Sequence, residues 1–460
     1  MRQTDHPERL AHVPGEINAP WEAAFDKFMS PFEEFVHRQT TSGLLLMAAA
    51  VLALVLANSG WAEAYRHVLH LHITISVGGW SIDKPLSHWV NDGLMALFFF
   101  LVGLELKREI LVGELAEPRQ AVLPIMTAIG GMVVPALIYF GLNPDGETSR
   151  GWGIPMATDI AFAIGALVLL AGRVPKSLIT FLVALAIVDD LGAVVVIAVF
   201  YTDQLVPGAL LVGAAMLALM VVFNRVGIRQ PLPYFVLGGL LWMALLESGV
   251  HATLAGVLTA FTIPSHPKYD PGLFSQRVKR LMERFDASHT PGQSIMTNDR
   301  LRSVVYALEN GTRNVQMPLQ RFEHALHMPV AYLIIPLFAL INAGIPLEWS
   351  TLGESLSHPV VLGIGFGLVA GKFIGIAGAS WRALRLGIGR LPAGTRFSQI
   401  AGVALLGGIG FTMAMFIADL AFDTQSGNLL MAKTGIMLAS LVSGAGDYLW
   451  LRLNADKPPG

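Results

Sequence analysis

Cysteine is absent from the 460 residues, which excludes disulfide staples and thiolate metal sites and leaves the redox state of the compartment unread. Charge is scarce as well. Only 14% of residues are Asp, Glu, Lys or Arg, against about 25% in an ordinary soluble domain. The charges nearly cancel, to −2 at pH 7, so the chain has no basic footprint for nucleic acid, and neither nucleic acid nor a protein substrate is expected as a partner. The first 38 residues are polar and mixed in charge, unlike a cleavable leader. What is abundant is apolar surface: 53% of residues are hydrophobic and the mean hydropathy is +0.57. A soluble chain of this length cannot hide that much, so the expected fold class is an all-α polytopic membrane protein with the lipid bilayer as its main partner.

A spanning helix needs about 20 mostly apolar residues. Twelve candidates start near residues 40, 87, 119, 152, 176, 206, 231, 248, 328, 358, 397 and 428. With the N-terminus in the cytoplasm and strict alternation, 26 Lys and Arg fall in cytoplasmic segments and 3 outside, Arg66, Lys84 and Arg150. That asymmetry predicts both termini inside. Lys372 and Lys433 remain in or near spans. The domain plan is then a cytoplasmic segment at 1–38 and one membrane domain at 39–454. A hairpin at 71–84 and a long inner loop at 264–327 are inserted in that domain. "LHITISVGGWSI" (71–82) alternates around Gly78-Gly79, a β-hairpin signal on the outer side, and its edge offers a homodimer contact. "FSQRVKRLMERF" in the inner loop has the pattern of a basic amphipathic helix lying on the membrane surface or against the protein.

Four ionisable residues sit where a span should be driest: Asp159, Asp189, Asp190 and Lys372. Each costs roughly 2.5–3.5 kcal/mol at a helix centre, together on the order of 10 kcal/mol if nothing offsets it. One Asp–Lys pair would only hold helices together. Three carboxylates against one lysine leave acids that need water, a proton or a bound cation. Asp189 and Asp190 are adjacent, so on a regular helix they point about 100° apart. One can face a lysine while the other faces an aqueous funnel. Crowded carboxylates resist double ionisation, and their hard oxygens suit a small cation such as Na+ or Li+.

Two spans are interrupted. "GWGIPMATDIAFAIGALVLL" (151–170) has Pro155 just before Thr158 and Asp159; "GVALLGGIGFTMAMFIADLAF" (402–422) has Gly407, Gly408 and Gly410 before Thr412. They are the middle helices of two three-helix groups, helices 3–5 and 10–12, of inverted topology. Paired broken helices in inverted repeats point to a transport site near the midplane. Their ends leave partial charges, positive at N-termini and negative at C-termini, which Asp159 and Lys372 can balance.

The stretches "LFFFLVGLELKRE", "ATDIAFAIG", "ALAIVDDLGAVVVIA", "SGVHATLAGV", "LVAGKFIGI" and "GGIGFTMAMFIA" together resemble the NhaA family of bacterial sodium/proton antiporters, in order from about Ser42 to Trp450. That family is itself one of the cases from which the inverted-repeat rule is drawn, so the two arguments are not independent. The resemblance implies twelve helices with helices 4 and 11 unwound where they cross, in the bacterial inner membrane. It implies electrogenic, pH-regulated exchange of about two protons for one Na+ or Li+, with no cofactor. It also implies residue roles. Asp190 and Asp189 match the ion- and proton-binding pair, Asp159 and Thr158 the polar residues at the helix-4 break, and Lys372 the lysine that pairs with an aspartate of the site. Glu105, Arg108 and Glu109 match a funnel cluster linked to pH activation. Glu323, His324 and His327 match a second part of that sensor, and His251 a histidine implicated in the pH response. The sequence departs from the family in its longer inner loop, its extended N-terminus, and Met328-Pro329 where Pro-Trp is usual.

Three other functions compete with this reading. An intramembrane aspartyl protease could use "GAGD" (Gly444–Asp447), but the only Tyr-Asp, Tyr269-Asp270, falls in a polar loop. A passive channel has no need of a lysine among titratable acids. A proton-coupled exchanger for K+ or an organic cation stays open, because carboxylates select hard cations broadly.

Overall fold

In lipid every buried N–H and C=O must be satisfied, which leaves a chain of long apolar runs little choice but helix. The computed structural model is mostly helical. It describes residues 39–78, 80–113, 115–168, 175–202, 205–266, 271–288, 298–346, 352–423 and 426–454. The expected cytoplasmic segment 1–38 lies outside the described residues.

The chain begins with α1 (Gln39–Ala57) and a surface helix α2 (Ala62–Leu69), then the hairpin β1 (His72–Val77) and β2 (Trp80–Pro85). A π-helical turn, Trp89–Leu94, leads into α3 (Met95–Val112), followed by α4 (Pro118–Leu142). A 3-10 stretch, Glu147–Met156, precedes α5 (Ile160–Val168), and then come α6 (Lys176–Phe200), α7 (Pro207–Val226), α8 (Pro231–Leu246) and α9 (Leu254–Thr262). Two polar helices follow, α10 (Pro271–Ser288) and α11 (Asp299–Val315). The rod α12 (Pro318–Pro329) runs through a π turn at Val330–Ile334 into α13 (Ile335–Asn342). Likewise α14 (Pro359–Phe366) runs through Gly367–Gly371 into α15 (Lys372–Arg385). The last are α16 (Phe397–Leu406), α17 (Phe411–Ala421) and α18 (Gly427–Asn454). Pro118, Pro207, Pro231, Pro318 and Pro359 each sit in the first turn of a helix, where the missing N–H would be unpaired anyway.

Among the described residues, six helices are long and apolar enough to cross a membrane, and two bent pairs qualify jointly. One pair is Thr41–Ala57 with Ala62–Leu69, bent by 115°; the other is α16 with α17, bent by 46°. The remaining expected spans fail for local reasons. α3 carries Glu105, Lys107, Arg108 and Glu109 near its end, α8 is 16 residues long and α9 is 9, while α5 runs up to residues outside the described ones. The stretch 264–327, read from the sequence as a loop, is largely helical. The amphipathic pattern lies inside α10, but α11 was not anticipated. Asn298 caps α11, its Oδ1 accepting from the Arg300 and Leu301 N–H groups. The Leu319 N–H donates to Pro264 O at 3.3 Å, so the insert leaves and rejoins the bundle at one point.

The hairpin is antiparallel with Val77 opposite Trp80, and Gly78 makes the turn at φ +63°. A hydrogen bond from the Thr74 hydroxyl, and secondarily His72, holds the Asp83 carboxyl below its ordinary value. That contribution is present above the ordinary carboxylate value and is lost as pH falls through the lowered one. Small residues set the helix spacing where the site is built. A Cβ on Gly375 of α15 would lie 2.2 Å from the Gly130 carbonyl of α4, so these two helices touch backbone to backbone. On α14–α15, Gly371 likewise lies against Pro135.

Candidate functional site

α6 is a regular helix across Asp189 and Asp190, and the two side chains diverge as the 100° step demands. Asp189 turns to Lys372, whose Nζ donates to Asp189 Oδ2 at 2.5 Å and to Thr158 Oγ1 at 2.9 Å. The pair is as dry as the protein gets, with side chains 1% and 0% exposed. Lys372 reaches it because Gly371 and Gly375 press its helix onto α4, and the π turn just before it offsets its register. Asp190 turns elsewhere. Both its carboxylate oxygens are buried and have no hydrogen-bond partner among the described residues.

The two breaks face each other. The segment Ala157–Asp159 is outside any helix, with Ala157 extended, and Gly407–Gly410 is a non-helical turn between α16 and α17. Asp159 N donates to Ile409 O at 2.7 Å, and the Thr158 hydroxyl donates to Gly407 O at 2.9 Å. The Asp159 carboxylate sits at two helix N-termini. Its Oδ1 accepts from Phe162 N at 3.0 Å, and its Oδ2 accepts from Thr412 N at 3.0 Å and from the Thr412 hydroxyl. Asp159 therefore meets the positive ends, as the sequence suggests. Lys372 does not meet the negative end directly: the Gly407 carbonyl takes the Thr158 hydroxyl, and Lys372 holds that hydroxyl from behind.

A cavity of about 300 Å³ connects the aspartates to the surface. Asp159, Asp190 and Thr412 lie at its inner part, with Glu105, Arg108, Glu323 and His327 also in its wall. Arg108 is 41% exposed and its Nε lies 3.4 Å from Glu323 Oε1; its Nη2 is 3.1 Å from Glu109 Oε1. So an electropositive and two or three acidic groups ring the route to a buried, unpartnered carboxylate. Such a carboxylate needs a proton or a cation. Among the described residues no group of three His, Cys, Asp or Glu is placed to hold a metal ion, so any cation here draws on carboxylate, hydroxyl and backbone oxygens and water.

The structure brings Thr158, Asp159, Asp189, Asp190 and Lys372 together, and gathers Glu105, Arg108, Glu109 and Glu323 around the cavity's outer part. His327 lines the cavity, while His324 is exposed on α12 and is not part of its wall. His251 is elsewhere: its Nε2 lies 2.5 Å from Tyr201 O, at the far end of α6. Sequence reasoning missed the half-buried Asp419, though it interrupts an apolar run ("FIADLAF") and so carries the same signal as Asp159, and it weighed the buried Asp447 only as part of "GAGD". It also missed Ser440, whose Oγ accepts from Phe411 N and so caps the second break.

A family model described as Na+/H+ antiporter 1 matches residues 33–451. The Na(+)/H(+) antiporter NhaA 1 of Saccharophagus degradans is 56% identical over 448 residues, 97% of this chain and 97% of that protein. The Na(+)/H(+) antiporter NhaA of Sulfurimonas denitrificans is 51% identical over 440 residues, 96% and 99% of the two chains. That of Syntrophobacter fumaroxidans is 51% identical over 435 residues, 94% and 92%.

Proposed function

The chain belongs to the Na+/H+ antiporter 1 family, as a multi-pass membrane protein, and from that premise we propose that it extrudes Na+ or Li+ in exchange for protons through Asp190 and Asp189. One observation carries the reading. Asp190 is buried and unpartnered in the wall of a water-sized route, while its neighbour is neutralised by Lys372. A carboxylate in that position binds either H+ or a small hard cation, and the two compete for one site.

In this account Na+ enters the cavity, meets Asp190, and completes its shell from Asp159, Thr412 or water. Proton uptake on the other side of the membrane expels it. The Asp189–Lys372 pair is the second proton carrier, since a proton can sit on Lys372 with the pair made or on Asp189 with the pair broken. Two protons against one cation make the exchange electrogenic. The Asp159 carboxylate and the hydroxyls of Thr158 and Thr412 lock the two breaks together, so a small tilt of the broken helices opens one side and closes the other. We assign the chain twelve spans, with spans 3–5 and 10–12 as inverted repeats, both termini and the α10–α11 insert on the cytoplasmic side, and the inner membrane as its location. The 1–38 segment belongs to that cytoplasmic side. The Glu105, Arg108, Glu109, Glu323, His324 and His327 group sets the pH at which cations gain entry, and His251 tunes it from the far end of α6. A homodimer through the 71–84 hairpin is supported by the exposed Ile73 and Ile75 on its outer strand.

The test is purified protein in proteoliposomes that are acidic inside, with Na+, Li+ or K+ added outside while internal pH is followed, repeated at clamped voltage. Collapse of the gradient by Na+ and Li+ but not K+, at a voltage-dependent rate, is expected. Collapse by K+ alone would replace this reading with a potassium exchanger; no collapse between pH 6 and 9 would sink both.

A further inference from the structure

One charged cluster has no part in the exchange just described. Lys433 of α18 places its Nζ 2.8 Å from Asp419 Oδ1 of α17 and 3.3 Å from Asn342 Oδ1, at the end of α13. Asn91, in the π turn before α3, donates its Nδ2 to Asp419 Oδ2 at 3.1 Å and to Asn342 Oδ1 at 3.3 Å. The Asn342 Nδ2 donates back to Asn91 Oδ1 at 2.8 Å. Four elements meet at a carboxylate and two carboxamides, with an ammonium seated among their oxygens.

The place of this cluster matters. The rod from Asn91 along α3 passes Phe98 and Val102 in the cavity wall and reaches Arg108 at its outer part. Seventeen residues of helix span about 25 Å. The rod from Asn342 back to Glu323 does the same, through Ile335 and Val330. Both rods therefore carry the cavity's charged outer part at one end and the cluster at the other. Asp419 is seven residues beyond Thr412 on α17, two turns further on the same face and about 10 Å along the axis. Asp419 is thus the next carboxylate along α17 beyond Asp159 and Thr412 on the side away from the cavity, separated from them by buried residues such as Phe416. The pair is also wetter than the inner one: Lys433 and Asp419 are 17% and 13% exposed, against 0% and 1% for Lys372 and Asp189.

We propose that Asp419, with the side-chain oxygens of Asn342 and Asn91, is a second station for the transported monovalent cation on the hairpin side. The ammonium of Lys433 is a tethered cation that occupies the station when it is idle. The oxygens suit a hard cation. When Na+ takes its place the Asp419 carboxylate stays neutralised, and the displaced Lys433 ammonium, on a side chain 17% exposed, turns to water.

The inference rests on the Na+/H+ exchange reading, and its test separates the two. The Na+ KM is measured from each face in proteoliposomes sorted by orientation, for wild type, Asp419→Asn, Lys433→Gln and the double variant. Asp419→Asn should raise the hairpin-side KM about fivefold, the upper range for a partly exposed charge pair, and Lys433→Gln should lower it. The cavity-side KM should move less than twofold in either. The double variant, which strands no charge, should fold and show the raised KM of Asp419→Asn. Equal shifts on both faces, or no shift on the hairpin side, overturn the station. A wild type without Na+-driven exchange instead overturns the antiport reading, and the station with it.

Discussion

Replacing Lys372 by Met removes the sole ammonium bonded to Asp189 and keeps the bulk of the side chain. Asp189 is 1% exposed and its Oδ1 has no hydrogen-bond partner among the described residues. Left ionised, it would be an uncompensated buried charge, a defect of about 3–5 kcal/mol. The destabilisation of Lys372→Met should therefore be about 3–5 kcal/mol at neutral pH. Asp189→Asn with Lys372→Met strands nothing and should recover most of the loss at every pH. Denaturant midpoints of the detergent-solubilised protein, followed by tryptophan fluorescence, measure both. A loss well under 1 kcal/mol in Lys372→Met, or a double variant as unstable as the sum of its singles, would refute the pairing of these two residues as the source of their stability.

Gly375→Ala puts a methyl 2.2 Å from the Gly130 carbonyl and should cost about 1–3 kcal/mol while slowing exchange, since Lys372 lies one turn away. Gly378→Ala, with nothing within 4 Å of its Cβ, should keep full exchange and gain up to about 1 kcal/mol in thermal stability. Thr412→Val removes the hydroxyl donor to Asp159 but leaves two backbone donors. It should cost about 1.5–3 kcal/mol in denaturant stability. Glu323→Gln leaves Arg108 paired with Glu109 alone at the outer part of the cavity and should shift the pH profile of exchange while leaving the Na+ KM at the optimum unchanged; a change in KM with a fixed profile would remove Glu323 from the pH response. Disrupting the hairpin by Ile75→Lys should turn a dimer into monomers on analytical ultracentrifugation, with exchange retained.

Much of the site was legible because lipid makes charge conspicuous. Asp159, Asp189, Asp190 and Lys372 stand out in apolar runs, and the adjacency of Asp189 and Asp190 alone requires them to face different surroundings. Which of them meets Lys372 was not legible: it depends on the backbone contact of Gly130 with Gly375, two glycines far apart in sequence. The breaks were visible as Pro155 and the Gly407–Gly410 cluster, but their mutual hydrogen bonds, Asp159 N to Ile409 O and Thr158 to Gly407 O, involve carbonyls that every residue has. Asp419 escaped notice because its partners Asn91, Asn342 and Lys433 come from three distant stretches. α11 escaped because its apolar face is short and is buried against α10 rather than lipid, where hydropathy gives no signal.

The central claim is that Asp190 is the cation's carboxylate. Equilibrium binding of radioactive Na+ to the purified protein at alkaline pH tests it without any transport step. Wild type should bind Na+ and release it as the pH is lowered, while Asp190→Asn, shown folded by its unchanged denaturant midpoint, should bind none. Na+ binding retained by folded Asp190→Asn would contradict the account.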